Sequence, residues 1–187
     1  VDAATIMMVG SAPNFPHGII DPIAALGEVA AKNGVWLHVD ACVGGYFAPF
    51  ARMNGVPVPA FDFEVPAVQS MSADLHKYGY CAKGASTVLF RSEELYAHMP
   101  FDMAGWSGAP MKTPTLAGTR PGGAISAAWG VMNTLGVEGY KRLQGQVCAT
   151  RERMEDGVKR LGFEIVGNPM LGLMAFHHPD AHAFAIY

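Results

Sequence analysis

The sequence predicts an α/β fold of three layers, with helices on both faces of a mostly parallel mixed sheet. Three observations predict it. An apolar run at residues 4–9 is followed by an amphipathic helix pattern and by a second apolar run at 35–39. Such a strand–helix–strand unit makes a right-handed crossover between parallel strands. Two further apolar runs, 67–72 and 86–91, are joined by a short loop with no helix. That connection adds an antiparallel pair and makes the sheet mixed.

The elements follow in order. Residues 4–9 read as a buried strand closed by Gly10. A loop with two prolines occupies 11–18. Asp21 is expected to cap a helix, with Pro22 at its first position. Ile23, Leu26, Val29 and Ala30 give that helix one buried stripe, and Asn33-Gly34 ends it. The segment 40–46 leaves the carboxyl end of the next strand, which is where open α/β sheets bind ligands. The proline-bearing stretch 54–66 reads as mobile. After the strand pair, Ser92 caps a short helix with Glu93 and Glu94 in its first turn. Segment 102–123 is too long for an ordinary connector and reads as a functional or interface loop. Residues 124–135 read as an apolar helix buried nearly all round, which Gly136 breaks. Residues 137–161 read as a long amphipathic helix, weakened at Gly145 and Gly157. Runs 163–166 and 172–176 read as strands of a second, smaller unit.

The domain organisation that follows is a large domain over 1–161, including the connecting helix 137–161, and the start of a small C-terminal domain over 162–187. The chain opens with Val1 and stops at Tyr187 inside what reads as the first turn of a helix. It is expected to be part of a longer protein.

Composition narrows the function. Half of the 187 residues are hydrophobic and 16% are charged, which is a globular composition. The net charge of -3 and the lack of a basic cluster argue against nucleic-acid binding. Cys42, Cys81 and Cys148 are odd in number and widely spaced. They fit a reducing compartment, no zinc site and a cytoplasmic location. No apolar run has the length of a membrane span, and the opening residues do not read as a signal peptide. An anchor elsewhere in the complete protein is left open. The eleven methionines, among them Met7, Met8, Met71, Met99, Met103 and Met111, read as core filler, not as a metal site.

The chemistry centres on Ser72-Ala73-Asp74-Leu75-His76-Lys77-Tyr78-Gly79-Tyr80-Cys81-Ala82-Lys83-Gly84, between two strands. A lysine there is costly unless it is exposed, paired or made neutral. A Schiff base with pyridoxal 5'-phosphate (PLP) makes it neutral. The plain alternative is a surface lysine in a loop. His76 beside Lys77, and His38-Val39-Asp40-Ala41 at the end of another strand, favour the first reading.

The lysine run closely resembles that of the sphingosine-1-phosphate lyase family, in the group II decarboxylase branch of fold-type I PLP enzymes. So do Gly10-Ser11-Ala12-Pro13-Asn14-Phe15-Pro16-His17-Gly18, His38-Val39-Asp40-Ala41-Cys42-Val43-Gly44-Gly45 and Thr115-Leu116-Ala117-Gly118-Thr119-Arg120-Pro121-Gly122-Gly123. The four motifs stand in one collinear order over nearly the whole chain. The resemblance implies the large domain of an aspartate aminotransferase-like PLP-transferase fold.

It also implies roles. Lys77 matches the Schiff-base lysine, whose pKa burial beside a cationic cofactor would lower. Asp40 matches the carboxylate that keeps the pyridine nitrogen protonated; a helix cap or turn is its plain alternative. Cys42 corresponds to the small residue under the ring. It is not expected to be a nucleophile, because the sequence shows no adjacent cation. His76 and Ser11 match phosphate contacts, and Ala12 stands where the family has threonine. Thr119 matches a residue that reaches the phosphate in the neighbouring subunit of a homodimer. Lys83 matches a lysine on the substrate phosphate, and His17 and Phe15 fall in the substrate-binding set. His38 is expected on the same strand face as Asp40, either orienting it or as a structural histidine.

The activity implied is retro-aldol cleavage of a phosphorylated long-chain amino alcohol to a fatty aldehyde and phosphoethanolamine. The rivals are an amino-acid decarboxylase of the same branch and a catalytically dead scaffold. Intact Lys77 and Asp40 argue against the scaffold.

Overall fold

A computed structural model of the chain describes residues 1–181. The helical turn expected at Tyr187, and the end of the 162–187 unit, lie outside those residues. The main sheet has four strands in the order β1 (Met7–Ser11), β2 (Trp36–Asp40), β3 (Val68–Ala73) and β4 (Thr87–Phe90). The first three are parallel, and β3 and β4 are antiparallel, as expected. β1 does not close at Gly10. Gly10 and Ser11 pair with Val39 and Asp40, so the strand delivers Ser11 to the same sheet edge as Asp40.

α1 (Ile23–Asn33) crosses over between β1 and β2 and buries Ile23, Gly27 and Ala30 against the sheet. Asp21 does not cap it. Pro22 occupies the cap position, and no side chain bonds to the helix start. The Asp21 carboxylate instead accepts from Ser11 N at 2.8 Å and Asn14 Nδ2 at 3.2 Å. A carboxylate that two donors claim in the preceding loop is lost to the helix behind it.

One face of the sheet carries the core. Leu37, Val39 and Val68 are wholly buried there with Ile23, Phe47 and Phe61. The stretch 54–66 belongs to this core and is not loosely held. Val58, Phe61 and Val65 are buried, and Arg52 donates to the carbonyls of Val58 and Pro59 and pairs with Asp62 and Glu64. Arg52 projects from α2 (Ala48–Met53), a helix that the sequence reading lacked. Pro49 stands in its first turn, where a missing N–H costs nothing.

Ser92 accepts from Leu95 N and caps α3 (Glu93–Tyr96), as expected. Segment 102–123 is not wholly irregular. It takes part in a hairpin of β5 (Phe101–Met103) and β6 (Met111–Thr113). The long helix α4 (Gly123–Arg160) is kinked at Gly136, whose φ of 56° is left-handed. Gly145 and Gly157 do not interrupt it. Its first limb is not buried all round: Ala128 is buried, but Ile125 and Trp129 are 61% and 72% exposed. β7 (Glu164–Ile165) and β8 (Phe176–His177) pair beyond the helix, and residues 172–175 are not strand. The methionines divide. Met71 is buried, whereas Met7, Met103 and Met111 are exposed and fill no core.

Candidate active site

β1, β2 and β3 end side by side, and the loops that leave them build one cleft. Parallel strands put their carboxyl ends at one edge, so residues distant in sequence meet there. Phe15 and Val43 come from the first two loops, and Lys77, Tyr78 and Tyr80 from the third. With Leu173 they line an open cavity of about 560 Å³. Close packing fixes the floor. A Cβ on Gly44 would stand 2.1 Å from the Ala12 carbonyl oxygen, so only glycine lets these loops meet.

Asp40 ends β2 with its carboxylate held in place. Oδ1 accepts from Cys42 N and from Ser72 Oγ, both at 3.0 Å. Burial alone would raise its pKa, but the Cys42 and Ser72 hydrogen bonds and the Lys77 charge hold it below the usual value. Asp40 therefore stays an anion at neutral pH.

The Lys77 ammonium stands 3.0 Å from Asp74 Oδ2, three residues back, and its side chain is 37% exposed. The expected lowering of its pKa is not what the structure has. Burial does lower it, but the Cys42 thiol and the Asp74 carboxylate outweigh burial and raise it. Cys42 in turn does have a cationic neighbour, Lys77, contrary to the sequence reading. Burial and Asp40 still push its thiol up, so it remains a poor nucleophile.

His76 is fixed through Nδ1, which donates to the Ala85 carbonyl at 2.7 Å. Its Nε2 lies 3.7 Å from Asp74 Oδ2. His38 shares a strand face with Asp40 but does not orient it. His38 Nδ1 bonds to Ser70 Oγ at 2.7 Å, and Ser70 also accepts from the Trp36 indole at 2.8 Å. Burial lowers the His38 pKa. These features make it a structural histidine.

The lysine loop is clamped from behind. Tyr140 of α4 donates to the Gly79 carbonyl at 2.9 Å, and Tyr78 donates to the Gly172 carbonyl at 3.3 Å. Burial pushes the Tyr140 hydroxyl up to about 12. Phe50 of α2 stacks on Tyr140 at 4.8 Å.

Of the expected site residues, the structure brings Lys77, Asp40, Cys42, His76, Ser11 and Phe15 to this edge. Lys83, Thr119 and His17 are exposed, and among the described residues no hydrogen bond or ion pair joins them to the cleft. The sequence reading missed Asp74 and Ser72 as partners of Lys77 and Asp40. Both lie inside the quoted lysine motif, and the three-residue spacing of Asp74 and Lys77 was the available signal.

These residues fit PLP. The cleft offers one reachable amine, Lys77, and one anchored carboxylate, Asp40, with Cys42 as a small neighbour to both. Both close hydrogen bonds to Asp40 fall on Oδ1, which leaves Oδ2 able to take a pyridinium N–H.

Known proteins bear this out. Residues 8–178 match the model of the pyridoxal-dependent decarboxylase conserved domain. The chain is 43% identical to a sphingosine-1-phosphate lyase of Oryza sativa subsp. japonica over all of its length and 35% of that protein's. It is 45% identical to one of Arabidopsis thaliana, over 94% of this chain and 32% of that protein. It thus spans about a third of the length of these curated relatives. A solved sphingosine-1-phosphate lyase of Burkholderia pseudomallei superposes with a TM-score of 0.89 at 42% identity, covering 95% of this chain and 41% of that one. The lysine loop, the anchored aspartate and the matched domain agree: this chain belongs to the pyridoxal-dependent decarboxylase family.

Proposed function

We propose that the complete protein is a PLP-dependent carbon–carbon lyase acting on a phosphorylated long-chain amino alcohol, with a fatty aldehyde and phosphoethanolamine as products. The similarity to sphingosine-1-phosphate lyases along nearly the whole chain supports the reaction class. The observation that carries it into this molecule is the pairing of Lys77 with Asp74 in a cleft that also holds the anchored Asp40.

PLP, when bound, supplies an electron sink for the pair released as the carbon–carbon bond breaks. The protein does the rest. Lys77 holds the cofactor and, once its amine is free, moves a proton at the carbon that carries the substrate amine. Asp74 accepts a hydrogen bond from the Lys77 ammonium and orients it until the proton leaves. Asp40 offers a fixed anion to the pyridine nitrogen and favours its protonated form. Cys42 lies against the ring without forming a bond. Ser11 and His76 Nε2 take the cofactor phosphate, helped by Thr119 from the neighbouring subunit of a homodimer. The exposure of Thr119 in a single chain suits a role across such an interface. Lys83 takes the substrate phosphate, with His17 and Phe15 along the substrate.

Residues 1–161 are read as the central part of the PLP-binding large domain, and those from 162 onward as the start of a smaller one. Cysteine usage supports a cytoplasmic site of action. The family's name favours a second reading, loss of carbon dioxide from an amino acid. The experiment is to offer the complete protein, with PLP, a phosphorylated long-chain amino alcohol and a panel of amino acids. Aldehyde release from the first supports the lyase. Carbon dioxide from an amino acid, with the phosphorylated compound untouched, replaces it with the decarboxylase.

A further inference from the structure

A second cavity, of about 460 Å³, lies between the second limb of α4 and the segment that leads into β8. Leu143, Val147, Met154, Met174 and Phe176 give it an apolar wall. It shares two lining residues, Tyr80 and Leu173, with the cleft that holds Lys77. The two cavities are therefore neighbours across one pair of side chains.

Tyr80 is held at this junction. Its φ of 58° is left-handed, which is uncommon for a bulky residue and is fixed here by the turn in which Tyr80 N donates to the Lys77 carbonyl. Its ring meets Tyr78 edge-on at 6.3 Å and lies tilted against Tyr140 at the same distance. The second cavity has no free charge to draw a phosphate. Arg151 lines it, but the guanidinium is tied to Glu155 at 2.7 Å and Glu152 at 3.4 Å.

We propose that the cavity beyond Tyr80 and Leu173 receives the hydrocarbon chain of the substrate whose amine is held at Lys77. Tyr80 and Leu173 then act as specificity-determining residues between the reacting end and the tail. The proposal rests on the lyase reading and adds to it the place of the tail. An amphiphile bound by its amine at Lys77 has an apolar surface next door that shares walls with the first site. Burial of each methylene there improves binding by about fourfold.

The test fills the second cavity in the complete, PLP-loaded protein. Met154→Trp projects bulk from α4 into it, and Thr150→Trp does the same from the exposed rim one turn earlier. KM is measured for a long-chain and for a short-chain phosphorylated amino alcohol, with the cofactor absorbance read on each variant as a check of folding. KM for the long chain is expected to rise at least tenfold while that for the short chain stays within twofold. If either folded variant keeps the wild-type chain-length preference, the cavity does not hold the tail. If the wild type cleaves neither compound, the lyase reading fails first and the inference falls with it.

Discussion

Lys77 Nζ and Asp74 Oδ2 form an ion pair at 3.0 Å inside a single turn of the lysine loop. The pair holds the amine in its charged form, since Asp74 is among the groups that raise the Lys77 pKa. A charged amine cannot attack an aldehyde, so the pair must open, or pass its proton on, before the cofactor is joined.

The pH dependence follows from that sign. A raised amine pKa means less neutral amine at any given neutral pH, and attachment of PLP should speed up as pH rises. Asp74→Asn keeps the shape and removes the charge. It is expected to move the pH profile of PLP attachment, followed by absorbance, to lower pH. An unchanged profile would mean that Asp74 does not control the Lys77 proton.

Asp40→Ala removes the anion anchored by Ser72 and Cys42. Cofactor affinity should weaken and turnover fall by at least about a hundredfold, the scale for loss of one preorganised electrostatic partner. Near-normal turnover in that variant would take Asp40 out of the mechanism.

Tyr140→Phe deletes the hydroxyl that ties α4 to the lysine loop through Gly79. It leaves a buried carbonyl without its donor, so a loss of about 1–3 kcal/mol in stability is expected from denaturant unfolding of the complete protein. PLP should also dissociate faster, because the loop is less firmly held. A variant as stable as the wild type would show that solvent replaces the hydroxyl freely.

The order and direction of the main strands were legible because each is a short apolar run between turn residues. The antiparallel turn at β4 was legible because no helix separates it from β3. Asp21 was misjudged because capping is only one use of a carboxylate before a helix, and two donors in the Ser11–Asn14 loop compete for it. α2 escaped because its six residues are too few to display a period. Lys77 and Asp40 could be picked out by motif, but the proton balance between them could not. It depends on Cys42 and Asp74, which only the folded chain brings against the amine.

Lys83 tests the substrate. It is exposed, six residues beyond Lys77. An ammonium there can contribute a charge-assisted hydrogen bond of about 1.5–3 kcal/mol to a substrate phosphate. Lys83→Ala is expected to raise KM for a phosphorylated amino alcohol at least about tenfold and to leave the cofactor absorbance intact. Unchanged KM would remove Lys83 from the substrate site.

The most direct measurement is to fix the cofactor where it sits. The complete protein is loaded with PLP, reduced with borohydride and digested, and the labelled peptide is sequenced by mass spectrometry. The label is expected on Lys77, and Lys77→Ala should carry none. A label on Lys83 or Lys32, or a Lys77→Ala protein labelled as fully as the wild type, would contradict the assignment on which the whole site is built.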